Sequence, residues 1–474
     1  MGRGFIYMLI SSIVWLLSGF LVNSITGRWL GPASYGTFGI VYAFITTSYL
    51  VLGGGVKRAV TKFIAAEPER AADIRVAGLK IQMIICAIIV MALFIISGPM
   101  SQWLHDEDLK VFIRYSAAVV PVAGILYVYI GYFDGCKQFD RTVVITVLHS
   151  VSKVVFVFLL LYFGYEIFGA ITGLLIGLSC TLLLAILLGR HTRGTRSFEQ
   201  KKIIQFTLPV LSFFLCVSVL TYLDLFFVKA LLDDPAKTGY YTSAQTISRL
   251  ISFAMFPFGI VLLPFISSAI AKNDLVKVRR YIGESLRYVL IILVPTCMML
   301  SITAKQVLMF VYGSEYVSGA MSLRILFLGM SCWGITHAMV SIIQGYGQPG
   351  KPALIFAAMI PVDIILVQVC IRFYGMEGAA IATTCTFIMG MVLAGMVIYK
   401  KYSVLVKIRT ILHTLIASVI ACSLFLFLTP SGFLLFASYL LAFCIYFAVL
   451  WGLGEIRKED MVFLGDAINI RRSR

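Results

Sequence analysis

Charge is scarce in this chain: 13% of its 474 residues are Asp, Glu, Lys or Arg, against 60% hydrophobic residues. With a mean hydropathy of +0.97, that balance excludes an ordinary soluble domain and any disordered, highly charged class. The five histidines are dispersed and the ten cysteines include no Cys-x-x-Cys pair, so neither a zinc site nor a disulfide framework is indicated. The cysteines read as small apolar packing residues. A Gly-x-x-x-x-Gly-Lys-Ser/Thr loop is missing, which removes the usual ATP motor. Gly345-x-Gly347-x-x-Gly350 matches a dinucleotide-binding pattern but lacks the strand and βαβ unit that the pattern needs. No cofactor and no metal is therefore expected. Long polar connections are also lacking. The largest expected on the outer side runs from about Gly98 to Lys110, too short for a folded domain.

Apolar sequence fills the chain instead. A membrane-crossing helix needs about 20 mostly apolar residues, and fourteen such runs can be laid out, from 5–26 to 431–453. Their continuity, without alternation, excludes a β-barrel. The first run follows Gly2-Arg3-Gly4 as a secretory signal would, but it is longer than a signal core and shows no small-x-small cleavage site. It is counted as the first span. With the N-terminus in the cytoplasm, twenty-nine of the 39 basic residues fall on inner segments and eight on outer ones. A multi-pass protein of the cytoplasmic membrane follows, with both termini inside. Basic residues spread over every inner connection also account for the +17 formal charge through anionic lipid, not nucleic acid.

The spans repeat. Pro32-Ala33-Ser34-Tyr35-Gly36 recurs as Pro235-Ala236-Lys237-Thr238-Gly239, and Phe133 to Arg141 aligns with Ile343 to Lys351. At that second offset Arg114 falls on Arg324 and Lys153 on Asp363. The fold expected is all-α: two six-helix lobes, 1–202 and 203–402, related as a parallel repeat, then 403–474 with two extra spans and a basic tail. Each lobe carries a basic, partly amphipathic stretch after its second span, Lys57 to Arg75 and Ser267 to Arg280, expected along the inner membrane surface.

Three segments carry a family resemblance: Leu30-Gly31-Pro32-Ala33-Ser34-Tyr35-Gly36, Gly239-Tyr240-Tyr241-Thr242-Ser243-Ala244, and Gln344-Gly345-Tyr346-Gly347-Gln348-Pro349-Gly350-Lys351. In these the chain resembles the polysaccharide transporter, or O-antigen flippase, branch of the multidrug/oligosaccharidyl-lipid/polysaccharide exporter superfamily. The resemblance implies two lobes around a cavity open alternately to either side. It implies a polyprenyl-diphosphate-linked oligosaccharide as substrate, moved from the inner to the outer leaflet for cell-surface polysaccharide biosynthesis. Polysaccharide assembly enzymes are candidate partners alongside membrane lipids.

Buried charge marks the candidate site. Lys153 lies about 18 Å into the fifth span by helical rise, where an ionisable group costs at least ~2.5–3.5 kcal/mol and needs protein or water around it. His149 sits one turn below it. Asp363 is its repeat counterpart, two residues after Pro361, which loosens the helix. Asp224, in the seventh span, would carry a proton, bind Na⁺ or neutralise a basic neighbour such as Lys229. Coupling to H⁺ or Na⁺ through Asp224 or Asp363 stays open. Arg249, in the eighth span, has the planar fork that suits phosphate oxygens, or it pairs with Asp224. Arg114 and Arg324, at matched outer ends, anchor at the interface or guide substrate. Trp15 and Trp333, mid-span, would stack on sugar or pack between helices. No catalytic residue is assigned. Two other readings remain: a drug or cation antiporter of the same superfamily, and a membrane glycosyltransferase, ligase or polymerase. The latter has only His105 to Asp108, Asp233 and Asp234 to offer on outer loops.

Overall fold

The computed structural model describes residues 2–189, 198–232, 234–253, 274–345, 350–428 and 430–456. Every regular element among them is helical. The described chain divides into two compact units, one ending at Thr242 and the other from Ser243 onward. Among the described residues, eleven helical runs are long and apolar enough to cross a membrane, which makes this a multi-pass membrane protein. Span eight is described only to Phe253, and the turn at 346–349 and residues 267–273 of the Ser267–Arg280 stretch lie outside the described residues.

The first unit begins with α1 (Gly2–Gly54), broken at Gly31, whose φ of 73° lies in the left-handed region. There the Gly31-Pro32 pair reverses the chain between two spans. After Gly55 follow α2 (Val56–Ala66), α3 (Ala71–Trp103), α4 (Asp108–Ser116), α5 (Val119–Gly135), α6 (Phe139–Tyr162), α7 (Glu166–Leu188) and α8 (Gln200–Leu231), then α9 (Pro235–Phe253). Helix α3 continues through Pro99, so the outer connection expected from Gly98 shrinks to 104–107. Helix α8, expected to open the second repeat, packs within the first unit.

The basic stretch after span two packs against protein. Helix α2 buries one face, with Val56, Ala59, Val60 and Ile64. Its side chains grip α5, where Lys57 Nζ lies 3.4 Å from Asp134 and Thr61 Oγ1 donates to the Gly131 carbonyl at 3.1 Å. Gly131 and Gly135 permit that approach, since a Cβ on either would meet α2 at 2.7 Å. At the same end Arg75 and Arg141 donate to the Gly189 and Leu188 carbonyls, at 2.8 and 3.0 Å. Two cations thus cap the partly negative C-terminus of α7.

The second unit holds α10 (Leu275–Ile302), α11 (Ala304–Val311), α12 (Ala320–Gly345), α13 (Gly350–Tyr402), α14 (Ile408–Cys422), α15 (Leu424–Phe427) and α16 (Leu434–Gly452). Helix α13 is broken at Gly375, φ 58°, as the α6–α7 hairpin turns at Gly164, φ 82°. The two glycines fall at nearly equivalent repeat positions. Helices α10, α14, α15 and α16 share a core of Ile291, Met299, Ala417, Ala421, Phe425, Ala442 and Tyr446. Glu455, beyond α16, closes it by accepting from Arg287, Thr410 and His413, with Arg287 Nε at 3.1 Å.

Candidate substrate site

Lys153 owes its position to three glycines. Gly169, Gly173 and Gly177 recur every fourth residue on α7 and form one bare stripe against α6. A Cβ on Gly173 would meet the Val157 backbone at 2.6 Å, and one on Gly177 would meet the Lys153 backbone at 2.8 Å. The two backbones therefore touch, sealed by Ser152 Oγ donating to the Gly177 carbonyl at 3.2 Å. With its backbone against α7, Lys153 turns its side chain towards α1, where Nζ lies 5.6 Å from the Trp15 ring centroid. Lys153 is 5% exposed, and among the described residues no carboxylate lies within ion-pair distance of it. A buried cation facing only a ring is held by a cation–π contact, weaker than the carboxylate it lacks. His149, also buried, lies one turn away. Trp15 stays partly exposed beside the cation, whereas Trp333 is buried in a stack with Phe387 and Phe356.

At the Gly31 end the two copies of the repeated Pro-Ala-x-x-Gly motif meet each other. A Cβ on Gly36 would strike the Gly239 nitrogen at 2.8 Å and the Pro235 oxygen at 3.1 Å. One on Gly239 would fall on the Pro32 carbonyl, 2.6 Å from its carbon. This reciprocity is what a two-fold relation between like segments produces. Gly39 continues it against Thr242, and deeper in, Thr46 and Thr47 hydrogen-bond Tyr222 and Ser218 on α8. Around the contact, Asp106 accepts Lys229 Nζ at 2.8 Å and Thr37 Oγ1 at 3.1 Å. Lys229 therefore answers to Asp106. Asp224, 1% exposed, accepts from Tyr241 Oη at 2.6 Å and from the Leu225 nitrogen at 2.8 Å.

The remaining candidates are scattered. Asp363 is fully buried in the second unit and accepts from Thr386 Oγ1 at 2.8 Å, across the two halves of α13. Arg249 lies in the same unit, half-buried. Arg324 is exposed, and so is Arg114, whose Nε donates to Ser97 Oγ at 3.0 Å. Sequence reasoning finds in Asp106 only a loop acid and gives Tyr241 no role. The signal for Asp106 is a cation, Lys229, at the end of another span, which sequence reasoning matches to Asp224. Among the described residues no group of three His, Cys, Asp or Glu side chains is gathered that could hold a metal. The carboxylates near Asp106 are spread along a short turn, one of them already in an ion pair.

Comparison with known proteins adds the following. The family described as Polysaccharide biosynthesis protein matches residues 1–270. Lipid II flippase MurJ of Bacillus subtilis (strain 168) is 21% identical over 427 residues, 77% of this chain and 77% of that protein. Probable low-salt glycan biosynthesis flippase Agl15 of Haloferax volcanii is 20% identical over 399 residues, covering 83% of this chain and 82% of the relative. Among solved structures, lipid II flippase MurJ in an inward closed conformation superposes with a TM-score of 0.78 at 15% identity, covering 99% of this chain and 100% of the other. An inward-facing multidrug resistance MATE transporter of the MOP superfamily gives 0.70 at 18% identity, over 83% and 98%. The fold is shared with both of these solved transporters.

Proposed function

This chain belongs to the polysaccharide biosynthesis protein family, and we propose that it flips a polyprenyl-diphosphate-linked oligosaccharide from the inner to the outer leaflet of the cytoplasmic membrane. Both termini then lie in the cytoplasm and the Gly31 end faces out. The supporting observation is Lys153, a buried cation with a ring and no carboxylate beside it among the described residues. Such a cation is stabilised when an anionic headgroup arrives. Two curated relatives named as flippases favour the same reading. Transport by alternating access requires one closed end, and the reciprocal Gly36–Gly239 contact with the Asp106–Lys229 pair supplies it in the first unit. Asp224, held by Tyr241, is the candidate for H⁺ coupling, because protonation would remove its charge and add an O–H donor where the carboxylate only accepts. The test is the purified chain in liposomes loaded with lipid-linked oligosaccharide, read by an external lectin. Wild type should expose the glycan and Lys153→Gln should not. No leaflet exchange by wild type, with or without ion gradients, would remove the proposal.

A further inference from the structure

Helix α2 has two working faces. Lys57, Thr61 and Ile64 face α5 and are spoken for there. Arg58 and Lys62, one turn apart, point at α8. The Arg58 guanidinium lies 4.8 Å from the Phe214 ring centroid, and Lys62 Nζ lies 4.5 Å from that of Phe206. Both side chains are exposed, and among the described residues neither makes a hydrogen bond or an ion pair. Their neighbours are handled differently. Lys57 is matched to Asp134 and Arg70 to Glu67.

A cation over a ring face is held in place without using up its N–H donors, which stay available to an acceptor. The register between the helices is fixed as well, because Gly54 and Gly55 seat directly on Phe214 and Leu211. Gly54, the last residue of α1, lies roughly 27 Å along the helix from Gly36 by helical rise, and Arg58 follows in the first turn of α2. That is about one hydrocarbon thickness from the Gly31 end, so the pair stands at the opposite headgroup level. The two side chains leave α2 one turn apart, with Cβ atoms about 6 Å from each other, and so offer two cationic groups to a diphosphate where a single phosphate needs one.

We propose that Arg58 and Lys62, backed by Phe214 and Phe206, are a loading site for the diphosphate of the lipid-linked substrate at the cytoplasmic headgroup level. It is distinct from Lys153, deep in the unit. The site rests on the flippase reading for its ligand, but its test does not need transport. Full-length protein in detergent would be titrated with sugar-free polyprenyl diphosphate, polyprenyl monophosphate, phosphatidylglycerol and inorganic diphosphate, with binding read by native mass spectrometry. Polyprenyl diphosphate should bind most tightly. Arg58→Gln with Lys62→Gln should weaken it by about tenfold or more, as expected when a charge-assisted hydrogen bond is removed, and Arg58→Lys with Lys62→Arg should largely retain it. Independently of any variant, a photoreactive polyprenyl diphosphate should crosslink to 58–62 or 206–214 of the wild-type chain. Phosphatidylglycerol binding equally well would make the pair a phospholipid anchor and overturn the site. Inorganic diphosphate competing as well as the lipid, or crosslinks falling only elsewhere, would also overturn it. Failure of the two readings is separable. Diphosphate binding through Arg58 and Lys62 without leaflet exchange in wild type sinks transport and keeps the site. Exchange and binding unaffected in the double glutamine variant sink the site and keep transport.

Discussion

Gly239→Ala is the sharpest perturbation of the closed Gly31 end. Alanine favours a helix over glycine by roughly 1 kcal/mol, so the helix itself gains. The added Cβ, however, would fall on the Pro32 carbonyl, with the Pro32 carbon at 2.6 Å and its Cα at 2.9 Å. All three are backbone atoms, and ordinary contact between carbons needs 3.5–4.0 Å. The segments must part by about an ångström, at the ~1–3 kcal/mol typical of overpacking. Because the helix gain is common to open and closed states, this cost falls on the closed state alone. The closed-to-open ratio should drop about 5- to 150-fold. The assay is labelling of Thr46→Cys, which lies beneath the contact beside Tyr222, with a membrane-impermeant maleimide in intact cells. Chain with Thr46 intact corrects for native cysteines. Gly98→Ala, which meets nothing within 4 Å, is the control. Labelling should rise in Gly239→Ala and not in the control. An unchanged rate in a folded, membrane-inserted Gly239→Ala protein would refute the claim that bare backbones seal this end.

Three further outcomes are expected. Lys153→Met should raise the thermal midpoint, since a charge costing at least ~2.5–3.5 kcal/mol in the membrane is gone, while leaflet exchange is lost; a midpoint that falls would show Lys153 to be structural. Gly173→Val should part α6 from α7 at Val157 and destabilise by ~1–3 kcal/mol, checked by thermal unfolding in detergent. Burial pushes the Glu455 carboxyl up, but hydrogen bonds from Thr410 and His413 and the Arg287 charge outweigh it and hold it below the usual carboxylate range. A carboxyl depressed in the folded state stabilises above its ordinary value and loses that contribution as pH falls through the folded one. The fastening of α14 and α16 to α10 should therefore weaken below about pH 4. Glu455→Gln should lose ~1–3 kcal/mol at neutral pH and flatten the acid limb of a protease-sensitivity profile.

The helical, multi-pass architecture was legible because each span carries its own evidence in an unbroken apolar run. Lys153 was legible for the same reason, as a lone cation in such a run. What stayed hidden depends on a second segment. The Pro32–Gly36 and Pro235–Gly239 copies are visible as a repeat, but nothing in either says that they touch. The Gly169, Gly173 and Gly177 stripe passes for ordinary apolar sequence because its purpose appears only when α6 lies against it. Lys57 to Arg75 reads as a surface-laid basic stretch from its pattern alone. That pattern could not show that α5 and α8 occupy its two faces. Asp134 stands out in the sequence as a repeat marker, while its partners Lys57 and Thr142 lie on other helices.

The distribution of partners among the deep charges favours an anionic cargo over a cationic one. Two carboxylates and one lysine of the candidate set are buried in the described units. Each carboxylate is met by a neutral hydroxyl donor, Tyr241 for Asp224 and Thr386 for Asp363, which holds it where it stands. A drug or cation antiporter would instead present a carboxylate to the space where its cargo binds, since the cation's desolvation must be met by a charge of opposite sign. Lys153 is the member met only by an aromatic face among the described residues, and Arg58 and Lys62 repeat that arrangement at the end of the unit. Rings hold a cation without neutralising it. Under the proposed reading, cations kept in that condition at headgroup level and again at depth are steps for a negatively charged group entering the protein, and a positively charged drug would meet repulsion at both.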